Sequence, residues 1–120
     1  MNETSVKILD KSRPRISLPD LSLERVTHFL QEQLQGKGVI EAYLFGSLAA
    51  GTSHAWSDID LLIVQNTEVP FVERARAFTD VFELGVPVDI LVYTQEEFDR
   101  LRADNSGFWR EFNQHNIKII

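Results

Sequence analysis

Three short stretches of the 120-residue chain carry the residue types that chemistry on phosphates requires. Gly46-Ser47 ends one apolar run, Asp58-Ile59-Asp60 opens a second, and Asp89 interrupts a third, Val86-Pro87-Val88-Asp89-Ile90-Leu91-Val92. Alternation along an extended strand puts Asp58 and Asp60 on one face and Ile59 and Leu61 on the other. Two carboxylates so close together repel unless a cation lies between them. An ionised Asp89 inside an apolar strand is costly unless paired, and the same cation would pair it. Oxygen-only carboxylate sets suit magnesium, which keeps several waters and is completed by substrate phosphates. A small Gly-Ser turn opposite supplies backbone N–H groups, a hydroxyl and close approach for those phosphates. Together these residues describe a site for a metal-bound nucleotide.

Plainer readings exist for each stretch. Asp58 after Ser57 can simply terminate a loop, and Asp89 can pair with Arg74 or Arg76. The coincidence of residue type and place favours the site. Residues 46–53, Gly-Ser-Leu-Ala-Ala-Gly-Thr-Ser, match a P-loop except that Thr52 replaces the lysine, and Asp58 and Asp60 begin their strand where a P-loop protein has an aspartate at a strand end. Asp58-x-Asp60 is no calcium loop, because Leu62 stands where a third oxygen ligand belongs. Ser47 lacks the nucleophile-elbow spacing, Gly36-Lys37-Gly38 lacks a third glycine, and His28, His54 and His115 have no ligand spacing.

The elements that must position these residues follow from periodicity. Leu23, Val26, Phe29, Leu30 and Leu34 recur at helical spacing behind a Ser22 cap, with Gly36 and Gly38 as the stop. Strands are expected at Val39–Phe45, at Asp58–Val64, whose apolar second half belongs in the middle of a sheet, and at Val86–Tyr93. Pro70 opens a helix with apolar positions Phe71, Val72, Ala75, Phe78, Val81 and Phe82, stopped by Gly85. Thr94 and Glu97 form a capping box for a helix through about Leu101. Phe108, Trp109 and Phe112 suggest one more short helix, before a strand or extended tail at Ile117–Ile120. Residues 1–20 are polar, with Pro14 and Pro19, and read as an N-terminal arm; residues 21–120 read as one domain. The order makes an α/β (α+β) layer, a small mixed β-sheet flanked by helices, with the strand-end loop Gly46–Ser57 at its margin.

Composition narrows the classes. With 43% hydrophobic and 25% charged residues the chain suits one globule, with room for no second catalytic domain. The absence of cysteine removes thiolate metal sites and cysteine nucleophiles, so any metal sits on oxygen or imidazole. Twelve Lys and Arg against eighteen Asp and Glu, a net charge of -6, argue against a long polynucleotide acceptor. No apolar run approaches membrane-spanning length, and Asn2, Glu3, Asp10 and Lys11 interrupt any signal-peptide core, so the expected location is the cytoplasm.

Leu44-Phe45-Gly46-Ser47, followed by Ser57-Asp58-Ile59-Asp60-Leu61-Leu62-Ile63-Val64 and by Asp89 on a later apolar strand, resembles the minimal nucleotidyltransferase domain of the DNA polymerase beta-like superfamily, MntA-like antitoxin type. The likeness covers about residues 22–95. It implies two magnesium ions and transfer of a nucleoside monophosphate from an NTP, with ATP as the expected donor, to an acceptor hydroxyl with release of pyrophosphate. Gly46 and Ser47 would hold the β- and γ-phosphates. Asp58, Asp60 and Asp89 would ligate metal, Asp89 on the acceptor side, where it would help deprotonate the attacking hydroxyl. In-line phosphoryl transfer needs just this positioning and charge neutralisation.

The chain departs from the family at Ala50, where members often carry arginine; Thr52, Ser53, His54 and Lys37 are the candidates to compensate. Relatives that modify antibiotics or polymerise nucleotides add an acceptor domain. Stand-alone prokaryotic members instead pair with a helical HEPN-type toxin as its antitoxin, in some cases adenylylating a toxin tyrosine, and the resemblance implies such a partner here. A second reading is a catalytically inactive module of the same fold that neutralises a helical partner by contact, using aromatics such as Trp56, Phe108 and Trp109. A third is a small-molecule transferase acting as a homodimer.

Overall fold

The structure is a computed structural model that describes residues 22–52 and 58–120. The N-terminal arm, and Ser53, His54, Trp56 and Ser57 of the expected site margin, lie outside the described residues.

Helix α1, Leu23–Leu34, begins where the Ser22 hydroxyl accepts a hydrogen bond from Arg25 N at 3.1 Å. Its buried residues Val26, Leu30 and Leu34 fall four apart, one stripe of a helix laid on the sheet. Four strands form that sheet: β1 (Glu41–Phe45), β2 (Ile59–Val64), β3 (Val88–Tyr93) and β4 (Asn116–Lys118), in the order β3-β2-β1-β4. β1 runs antiparallel to both β2 and β4, whereas β2 and β3 are parallel. The expected mixed sheet is therefore present, and β2 is interior. Leu61, Leu62, Ile63 and Val64 are each fully buried, the reason this stretch does not alternate with polar residues.

A parallel β2–β3 pair needs a long crossover, here the segment Phe71–Leu84. The expected helix is present, with Pro70 as its N-cap and Gly85 as its C-cap, but it is wound as 3-10 helix and broken at Phe78 (φ -121°, ψ 24°). The buried residues Phe78 and Val81 are three apart, matching a three-residue turn, while Val72 is 84% exposed. Helix α2 (Gly46–Ala50) follows β1 without a linker, α3 (Gln95–Asp104) follows β3, and α4 (Phe108–Gln114) leads into β4. The predicted capping box of α3 is present: Thr94 Oγ1 accepts from Glu97 N, and Glu97 accepts from Thr94 N.

The sheet has two covered faces. On one, α1 and the 3-10 segment pack against Leu44, Ile59, Leu61 and Ile63. On the other, α3 and α4 enclose an aromatic cluster, Tyr43, Phe45, Phe98, Trp109 and Phe112, with Leu62 and Val64. Trp109 is only 8% exposed, so it is core and not the surface aromatic considered for partner contact. No helix among the described residues is long and apolar enough to cross a membrane.

Candidate active site

Strand register brings the three sequence stretches together. Phe45, the last residue of β1, is the Cα partner of Asp60, and Asp60 is in turn the partner of Asp89. Strands lie about 4.8 Å apart, so the end of β1, the start of β2 and the start of β3 form one contiguous row at a single edge of the sheet. Side-chain alternation assigns Asp60 to the face of Leu62, Val64 and Phe45, the face that α3 and α4 cover further along. The carboxylates occupy the end of that face.

Gly46 turns the chain from β1 into α2 at φ +72°, a left-handed conformation that side chains rarely adopt. A Cβ on Gly46 would collide with Asp60 Oδ2 and lie 3.0 Å from its Cγ. The glycine thus admits the Asp60 carboxylate against the backbone of α2's first residue. The expected Gly-Ser turn is a short helix, because the backbone continues helically through Ala50 before Gly51 (φ +79°) ends it and Thr52 N donates to Ser47 O at 2.9 Å. The first N–H groups of a helix have no intrahelical carbonyl to bond, so Gly46 and Ser47 offer donors beside Asp60.

The Asp60 carboxyl is held up to about 6, by burial first and then by the charges of Asp89 and Asp58. That places both Asp89 and Asp58 within electrostatic reach of Asp60. Asp58 and Asp60 are half-buried, but Asp89 is exposed. The expectation that an ionised Asp89 would suffer burial in an apolar strand is therefore corrected: β3 is an edge strand and Asp89 is its second residue, so the desolvated carboxylate is Asp60 instead. Arg74, one of the two arginines considered as alternative partners of Asp89, is engaged at the other end of the strand. Its Nη1 donates to Glu97 Oε1 at 2.7 Å and its Nε to Val69 O at 2.7 Å.

The oxygen donor set fits magnesium in type, since carboxylates that repel each other gain from a shared cation. No group of three or more His, Asp or Glu among the described residues is drawn together tightly enough to enclose an ion. Of the proposed compensating cations, Lys37 is not at the site. It precedes β1, at the opposite end from Gly46, and its ammonium donates to Asp80 Oδ2 and Ala77 O, each at 3.3 Å. Thr52 is exposed just after α2, and Ala50 is half-buried at α2's last position.

One neighbour has no signal in the sequence. Phe108, 44% exposed, sets its ring edge-on to Phe45 with centroids 5.4 Å apart. Aromatic spacing at Phe108, Trp109 and Phe112 marks a packed helix but not which ring stands beside the partner of Asp60.

Residues 23–119 match the family model of the nucleotidyltransferase domain. With that match spanning most of the chain, the protein belongs to the nucleotidyltransferase domain family, and the resemblance read from Gly46-Ser47 and Asp58-x-Asp60 is borne out. Among solved structures it is similar to a toxin-antitoxin complex crystallised with AMP-PNP, at 17% identity and TM-score 0.56, over 78% of this chain and 72% of that one. It is also similar to a double Asp-to-Glu mutant of the toxin-antitoxin pair MntA-HpeT, at 17% identity and TM-score 0.52, over 83% of this chain and 73% of that one. These likenesses establish the shared nucleotidyltransferase fold. Among curated proteins, none matches the chain.

Proposed function

We propose that the protein moves a nucleoside monophosphate, AMP from ATP, onto a hydroxyl of a protein partner, a tyrosine of a helical HEPN-type toxin, and so acts as an antitoxin. The observation that carries the reading is the row Phe45-Asp60-Asp89 across β1, β2 and β3, with Gly46 admitting the Asp60 carboxylate. Gly46 and Ser47 N–H groups and the Ser47 hydroxyl would hold the terminal phosphates. Asp58, Asp60 and Asp89 would hold two magnesium ions, which when bound neutralise phosphate charge. Exposed Asp89 stands farthest from Gly46 in the row, on the side open to an acceptor, where its carboxylate would take the hydroxyl proton. The toxin-antitoxin neighbours, one of them holding AMP-PNP, support the choice of nucleotide and partner.

A second reading is favoured by Ala50, whose methyl group offers no cation to a triphosphate: a catalytically inactive module that neutralises its helical partner by contact. The two separate in one experiment. If the complex with the partner survives Asn at positions 58, 60 and 89 and the native protein leaves no covalent AMP, the contact reading stands. If the native protein leaves AMP on the partner and the triple variant does not, transfer stands.

A further inference from the structure

We infer that the Phe108 ring is the platform on which the base of the bound nucleotide stacks. The inference rests on the reading that Gly46-Ser47 and the aspartates hold a nucleoside triphosphate. Phe71 and Phe108 are the large exposed rings among the described residues, each 44% accessible, and they lie at opposite ends of the sheet. Phe71 packs 5.2 Å from Tyr93, the last residue of β3, whereas Phe108 packs on Phe45, the Cα partner of Asp60 and the residue before Gly46. One ring therefore separates Phe108 from the phosphate seat.

The ring is held in place before any ligand arrives. Phe45 meets it edge-on at 5.4 Å, Trp109 edge-on at 4.9 Å, and Phe112 lies nearly parallel to it at 6.3 Å. Gly107, at φ 55° and ψ -127°, makes the sharp entry to α4 that presents it. A ring fixed by its neighbours loses little freedom when a flat ligand covers it. Its position also leaves the Asp89 side free for an acceptor. In the order β3-β2-β1-β4, Asp89 lies on one side of Asp60 and Phe45 on the other, so an acceptor at Asp89 leaves the β1 side and the border of α4 for the base. Stacking on an aromatic face accepts any base, since every base has a π-face.

Calorimetric titration with magnesium plus ATP, and separately with magnesium plus inorganic tripolyphosphate, tests this on the full chain with native protein, Phe108→Leu and Phe108→Trp. Leucine keeps an apolar contact for Phe45 and tryptophan keeps a ring. The expected result is a roughly 10- to 100-fold weaker ATP affinity in Phe108→Leu, within the range of base–aromatic stacking. Tripolyphosphate should bind all three proteins alike, and Phe108→Trp should retain ATP. Unchanged ATP affinity in Phe108→Leu, or equal weakening of ATP and tripolyphosphate, overturns the platform while leaving the phosphate site standing. Native protein that binds neither ligand overturns the site reading and the platform with it.

Discussion

The Asp60 carboxylate occupies the space that a Cβ on Gly46 would fill, so the last turn out of β1 and the central carboxylate of β2 fit together only because residue 46 is glycine. Gly46→Ala meets two obstacles there, the collision and a φ of +72°. The expected cost is about 1–3 kcal/mol of stability. A thermal melt measures the loss, and labelled AMP transfer should fall with it because Asp60 must move.

Asp60 also makes stability depend on pH. Its carboxyl sits at about 6 in the folded chain against an ordinary value of 3.8, so between those values the folded chain holds more protons than the unfolded one. Stability must then fall as pH rises from 3.8 through about 6 and level off above. Asp60→Asn removes that dependence. Without magnesium, the variant should be more stable than native protein at pH 8 by on the order of 1 kcal/mol, discounted for the solvent around a half-buried group. Denaturant melts of both proteins at pH 5 and pH 8 check it, and identical pH slopes would count against the carboxylate row.

At the other end of the sheet, Glu97 behaves oppositely. Hydrogen bonds from Arg74 and from Thr94 N hold its carboxyl at about 2, below its usual 4.5. This stabilisation is complete above pH 4.5 and disappears as pH falls toward 2. Glu97→Ala, which removes half of a capping box, is expected to cost about 1–2 kcal/mol at pH 7. Nucleotidyl transfer should be unchanged, since Glu97 lies beyond the last residue of β3 and Asp89 near its first.

The elements are legible where period and chemistry agree. Ser22 and Thr94 with Glu97 announce two helix starts, and the unbroken apolar run Leu61–Val64 announces an interior strand; the structure bears out all three. The crossover helix is legible from Pro70 to Gly85, but its winding is not, because Phe71, Val72 and Phe78 fit a 3.6-residue period as well as a three-residue one, and nothing local shows that the turn is tighter. The exposure of Asp89 is hidden because the residues around it do not say whether a strand lies inside a sheet or at its edge. The proximity of Gly46 to Asp60, and of Phe108 to Phe45, depends on register across β1, β2 and α4. The family pattern points to the first pair, and no spacing in the chain points to the second.

Ala50 gives a gain-of-function prediction. It ends α2, the helix that begins with the proposed phosphate-binding pair Gly46-Ser47, where relatives often carry arginine. Ala50→Arg should tighten binding of ATP with magnesium by roughly 3- to 10-fold, the worth of one added charge-assisted contact. Calorimetry on native and variant protein reads it, and no gain would mean that the triphosphate does not approach the end of α2.

Covalent labelling reads AMP transfer itself. Purified protein is incubated with magnesium and α-labelled ATP in an extract of its host that contains its partner, beside Asp58→Asn/Asp60→Asn. Label is expected on a protein of the partner's size with native protein only. Equal labelling by the variant, or none by folded native protein, would mean that Asp58 and Asp60 do not carry out nucleotidyl transfer.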